Sequence, residues 1–158
     1  MSASNCGCPG AKMQDFREKE SEVKDEIGKR ASQLRQWPIQ LHLVSPQAPY
    51  FQKADVLISA DCVGYALGDF HKDYLKGKTI AIACPKLDEG QESYVEKIKS
   101  LIEDAQVNTI TIMTMEVPCC AGLVAIAQES LALSKRKIPV KSIVVGIKGD
   151  ILSEDWVS

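Results

Sequence analysis

The chain carries no excess of charge: 19 Lys and Arg stand against 21 Asp and Glu, a formal net charge of −2. That leaves no electrostatic footprint for nucleic acid or an anionic membrane. No apolar run approaches the length of a membrane span. The opening residues, Met1-Ser2-Ala3-Ser4-Asn5, hold neither a basic stretch nor an apolar core, so no secretory signal is expected. No repeat at solenoid spacing occurs. The chain also lacks any C-x-x-C knuckle, although it has 6 cysteines. A cytoplasmic chain is the expectation, and there cysteines read as thiols, metal ligands or redox groups rather than structural disulfides.

What is present suits one globular domain with a real core: 158 residues, 45% hydrophobic and 25% charged. Residues 1–36 read as a cysteine-containing loop followed by a charged helix or linker. Residues 37–158 read as the folded domain. Cys6-Gly7-Cys8-Pro9-Gly10 is loop-like, and two thiols so close can share a metal or be incidental. Between 15 and 30, Glu20 with Lys24, Asp25 with Lys29 and Glu26 with Arg30 have helix-supporting spacing. Met13, Phe16, Val23, Ile27, Ala31 and Leu34 add a thin apolar stripe that a partner helix, including that of a second copy, could cover.

After Trp37-Pro38, strands are expected over 39–43, 56–60, 79–83, 110–115 and 140–147. The first alternates Ile39, Leu41 and Leu43 with Gln40 and His42, and places His42 on the surface. The second, Val56 to Ala60, is a continuous apolar run, as expected of a strand covered on both faces. Tyr50 and Phe51 are candidates to plug the core. Helices are expected over 65–75, closed by Gly77, over 91–104 with Tyr94, Val95, Ile98, Leu101 and Ile102 inward, and over 122–133. Lys97 and Lys99 would face water. Lys135-Arg136-Lys137 would complement a helix C-terminus. The tail from 151, with Trp156, would pack back onto the domain. Alternating strands and helices define an α/β fold: a three-layer, Rossmann-like sandwich around a mostly parallel sheet of about five strands.

In a parallel sheet every C-terminal strand end points to one edge. Cys62, Cys84 and the pair Cys119-Cys120 each follow a strand, and Pro118 and Gly122 bracket the pair at a strand-to-helix turn. The four sulfurs converge if those strands are neighbours; otherwise they are separate core thiols. Four thiolates suit a 4Fe–4S cluster or zinc, and vicinal cysteines fit a multi-iron cluster better than one tetrahedral ion. Vicinal dithiol redox chemistry is the metal-free alternative. Asp61, His71, Lys86, Asp88 and Glu116 could line the same edge, but they spell no recognised acid–base or nucleophile arrangement. Glu116 and Lys86 could simply pair.

Several runs are similar to a known family: 32–43, Ala60-Asp61-Cys62, Gly68-Asp69-Phe70-His71, Ala83-Cys84-Pro85-Lys86-Leu87-Asp88 and Met115-Glu116-Val117-Pro118-Cys119-Cys120. They resemble the uncharacterised 4Fe–4S ferredoxin-type iron–sulfur binding proteins of anaerobic bacteria and archaea. The resemblance covers 32–157, and Gly7-Cys8-Pro9-Gly10 matches the family's linker. Typical members carry an N-terminal ferredoxin module with C-x-x-C-x-x-C groups, which this chain does not contain. The resemblance implies iron–sulfur binding, electron transfer and a ferredoxin-type partner. It carries over to Cys8, Cys62, Cys84, Cys119 and Cys120, with Cys8 a possible fifth contributor. The run 118–122 is also similar, over a shorter stretch, to the double-cysteine motif of heterodisulfide reductase subunits.

Overall fold

A computed structural model describes residues 13–15, 17, 28–118 and 121–157. Its centre is a five-stranded sheet. Two two-residue strands, β1 (Gln14–Asp15) and β2 (Gln36–Trp37), pair antiparallel ahead of it. The sheet is built from β3 (Asp55–Ala60), β4 (Thr79–Ala83), β5 (Thr109–Met115), β6 (Val140–Val145) and β7 (Ile151–Trp156), in the spatial order β4-β3-β5-β6-β7. β4, β3, β5 and β6 run parallel, and β7 joins β6 antiparallel. The expected α/β architecture and the four apolar parallel strands are therefore present.

The parallel strands bury nearly every residue because helices cover both faces. The helix α2 (Gln91–Glu103) buries Tyr94, Val95, Ile98, Leu101 and Ile102, the predicted stripe. It packs against α3 (Ala121–Leu133), where Ser130 Oγ donates to Val95 O at 3.2 Å. The crossover from β3 to β4 runs toward the opposite edge from the crossovers carrying α2 and α3. Right-handed connections put such crossovers on opposite faces. Tyr50 and Phe51 are fully buried, with ring centroids 5.1 Å apart.

Five local expectations change. The alternation at 39–43 makes one parallel bridge, Gln40 with Ile82, and then turns, with Leu43 and Val44 N–H both donating to Gln40 O. Lys97 explains that turn: its ammonium donates to Leu41 O at 2.9 Å, His42 O at 2.7 Å and Val44 O at 2.9 Å. It is a half-buried cross-link, not a water-facing lysine. The helix expected over 65–75 is split into α1 (Val63–Ala66) and a wide turn over Phe70–Leu75, because Leu67 is extended (φ −92°, ψ 116°) and Asp69 is not helical. The tail is β7, an edge strand set by the hairpin turn at Gly149 (φ +86°), and its Trp156 stays 64% exposed with the Lys141 ammonium 5.7 Å from the ring centroid. Of the charged stretch, residues 16 and 18–27, which hold most of the expected helix and Phe16, Val23 and Ile27 of its apolar stripe, lie outside the described residues. Gln14–Asp15 is strand, and residues 30–35 are not helical.

The basic triplet does what the sequence indicates. Lys137 Nζ donates to Leu131 O at 2.6 Å and Ser134 O at 2.9 Å, closing α3. Arg136 reaches across to Ile102 O in the last turn of α2 and to Val107 O just past it.

Candidate functional site: a thiol-bearing cavity at the carboxyl edge of the sheet

β3 has β4 on one side and β5 on the other, so the chain leaves β3 in one direction and later crosses back over it. That reversal is the topological switch point, where open α/β sheets bind ligands outside the carboxyl ends of their strands. A cavity of about 190 Å³ sits there. β3 and its turn contribute Ala60, Asp61 and Cys62; β4 contributes Ala83 and Cys84. Met115 ends β5, Val117 follows it, and Ile147 follows β6. The wall is overwhelmingly apolar.

Pairing register explains how two thiols reach one cavity. Ala60 is level with Ala83, and Asp61 N–H continues the ladder to Ala83 O at 3.1 Å. Cys84 is thus one residue past the paired position and Cys62 is two. Along a pleated strand, opposite parity would send them to opposite faces. Cys62, however, has left the strand: it caps α1 with φ −80° and ψ −16°. Both are free thiols, Cys62 exposed and Cys84 half-buried.

Cys119 and Cys120, like Cys8 and Cys6, lie outside the described residues. Their flanks are described. Val117, in the cavity wall, precedes the pair by two residues. Gly122, two residues beyond it, packs so closely on the cysteine-84 loop that a Cβ there would stand 3.3 Å from Pro85 Cβ. Among the described residues no three His, Cys, Asp or Glu side chains form a metal-holding group.

The other edge candidates separate. Asp61 lines the cavity, and burial followed by the neighbouring Asp88 charge pushes its carboxyl above the ordinary value. Asp88 Oδ2 accepts from Cys84 N–H at 2.9 Å, from Gln40 Nε2 at 3.1 Å and from the Tyr94 hydroxyl. Burial and then that hydrogen bond to Asp88 raise the Tyr94 phenol. Glu116 does not pair with Lys86 among the described residues; it accepts from Ile147 N–H at 3.0 Å. His71 Nδ1 accepts from Gln33 N–H at 3.0 Å, which ties it to the chain ahead of β2. His42 is a surface residue, held by Glu89 O at 2.6 Å and by its ring against Tyr94, centroids 4.2 Å apart. The role of Asp88 was not legible in composition or periodicity. The signal was its spacing, four residues after a strand-end cysteine, which suits a side chain closing a turn.

A dinucleotide site at such a crevice uses a glycine-rich first turn and the N-terminus of a long helix. Here the turn reads Ala60-Asp61-Cys62-Val63-Gly64, and α1 spans 4 residues. The first turn of this sheet presents a thiol in place of a phosphate cradle.

A family model described as a Rossmann-like domain matches residues 48–157, and the chain belongs to that family. It is also similar to an uncharacterized protein of Archaeoglobus fulgidus, 26% identical over 119 residues, which cover 75% of this chain and 83% of that protein. No solved structure matches. No described helix is long and apolar enough to cross a membrane.

Proposed function

We propose that the carboxyl edge of this sheet binds a 4Fe–4S-type iron–sulfur cluster through Cys62, Cys84, Cys119 and Cys120, and that the protein transfers electrons with a ferredoxin-type partner in the cytoplasm. The observation that carries the reading is the shared cavity: thiols from two adjacent strand ends open into one space. The third wall of that space, Met115 and Val117, leads directly to Pro118-Cys119-Cys120. The donor set fits the group, since iron–sulfur clusters are held by cysteine thiolates. When bound, a cluster supplies a one-electron couple.

The remaining parts are the chain's own. Ala60, Ala83, Met115, Val117 and Ile147 give the cavity an apolar wall beside the thiols, which favours soft sulfur coordination over hydrated ions. Asp61 adds negative charge at the rim, a lever toward low reduction potential. Cys8 remains a candidate fifth contributor from the N-terminal loop.

Anaerobic reconstitution with iron and sulfide tests the reading. Wild type should retain about four irons and four sulfides per chain with broad visible absorption. The double variants C119S/C120S and C62S/C84S should each lose the chromophore. Stoichiometric zinc without sulfide, or freely titrating thiols with no bound iron after anaerobic purification, would refute it.

A further inference from the structure

Residues 84–88 form a loop closed in both directions. Asp88 N–H donates to Cys84 O at 2.8 Å, and Cys84 N–H donates back to Asp88 Oδ2 at 2.9 Å. The first bond alone turns the chain. The second takes the Cys84 amide out of solvent and fixes the residue that carries the thiol. Asp88 is itself braced by two groups rooted elsewhere. The Tyr94 hydroxyl belongs to a fully buried ring on α2, and Gln40 sits at the bridge to Ile82. The outer side of the loop is held too, because Gln91 Nε2 donates to Pro85 O and Gly122 abuts Pro85. Only the tip, Lys86 and Leu87, is left in solvent, Leu87 at 79% exposure.

We infer that Asp88 is the positioning residue of the thiol site: its carboxylate, braced by Tyr94 and Gln40, clamps the Cys84 amide and so holds the Cys84 thiol at the cavity wall. The inference rests on the proposed thiol site for its purpose, yet its geometry does not need a cluster. Hydrogen bonds to a charged acceptor are stronger than neutral ones, and three donors converge on one oxygen here. Without the carboxylate, the strand-end loop opens independently of the sheet.

The test uses the full, reduced, metal-free chain and iodoacetamide, with the alkylation rates of Cys62 and Cys84 read separately by peptide mass spectrometry. In wild type the exposed Cys62 reacts faster than the half-buried Cys84. Asp88→Ala should accelerate Cys84 about tenfold or more relative to Cys62, as expected for losing a charged hydrogen-bond acceptor. Asp88→Asn keeps an oxygen for the amide and the phenol but not the charge, and should leave Cys84 between its Asp88→Ala and wild-type rates. Tyr94→Phe, which removes one brace and leaves the ring, should give a smaller acceleration of the same sign; it decides the question if Asp88→Ala does not fold. An unchanged Cys84 rate, or equal acceleration of both cysteines as in global loosening, overturns the inference. No iron enters the assay, so its failure is separate from failure of the cluster reading.

Discussion

Replacing Lys97 by Met removes an ammonium and keeps an apolar stem of similar length. Three carbonyls lose their donor: Leu41 O, His42 O and Val44 O. His42 is exposed, so water can replace the ammonium there. Leu41 and Val44 are 0% and 2% exposed, and their carbonyls have no such recourse. An unsatisfied buried acceptor costs about 1–3 kcal/mol, so the two together cost about 2–6 kcal/mol. The buried methionine stem offsets roughly 1 kcal/mol of that. A net loss of about 1–5 kcal/mol follows, which for a chain of this size lowers Tm by about 2–20 °C. Urea unfolding followed by circular dichroism measures it, with Lys99→Met on the same helix as the control expected within about 0.5 kcal/mol. Burial also pulls the Lys97 pKa below its usual 10.5. The unfolded chain then holds that proton more tightly than the folded one, so wild-type stability gains a rising component as pH climbs from the depressed value toward 10.5. Lys97→Met lacks that component. A variant as stable as wild type at pH 7 would show that the three carbonyls do not depend on Lys97, and would refute the account of the turn at 41–44.

Tyr50 has a buried hydroxyl with no partner among the described residues, and burial followed by the Asp15 charge pushes its pKa up to about 12. Its folded-state value lies above the unfolded 10.0, so its contribution is complete below pH 10 and is lost between pH 10 and 12 at up to about 1.4 kcal/mol per pH unit. Tyr50→Phe should remove that alkaline loss and be neutral or stabilising by up to about 1 kcal/mol at pH 7, since no hydrogen bond is forfeited; a marked destabilisation in urea would contradict it. Gly149→Ala should destabilise by more than about 1–2 kcal/mol, because φ is +86° and the new Cβ would stand 2.6 Å from Ala66 O; an unchanged Tm would show that the hairpin does not approach α1 as described. Trp156→Ala should change stability by no more than about 0.5 kcal/mol, the ring being mostly exposed, whereas a tail packed into the core would cost several times that.

The parallel strands and α2 could be read in the sequence because burial on both faces leaves no choice of residue. Val56-Leu57-Ile58 and Ile110 through Met113 must be apolar or small wherever helices cover the sheet. β7 could not be read that way. Five of its six residues are exposed, so neither alternation nor an apolar run marks it; only the turn at Gly149 did. The stretch 39–43 misled for the opposite reason. Its alternation is real, but Lys97 collects the carbonyls that would otherwise extend a ladder, and a lysine at that position of a helix reads as solvated. The placement of Cys62 and Cys84 at one cavity followed from strand ends alone. Asp88 did not, because its partners Gln40 and Tyr94 are 48 and 6 residues away in sequence and meet it only in the fold.

Why thiols should gather at this edge follows from the topology rather than from any one residue. A chain that goes from β3 to β4 and then returns past β3 to β5 leaves the ends of those strands uncovered by a crossover. Whatever the three strand-end turns carry is brought together there. In a nucleotide-binding version the turns supply backbone N–H groups, which requires glycine and a long helix behind them. Here Cys62 takes the first turn, and the four-residue α1 ends where Ala66 O meets Gly149. The cavity behind it is apolar, a poor host for phosphate and a good one for soft sulfur chemistry. The Cys84 amide is then held by Asp88 on the second turn, and Met115 and Val117 of the cavity wall lead in sequence to Pro118-Cys119-Cys120. On the proposed reading, a Rossmann-like sheet keeps the place where it binds and changes what that place holds by exchanging backbone donors for side-chain sulfur.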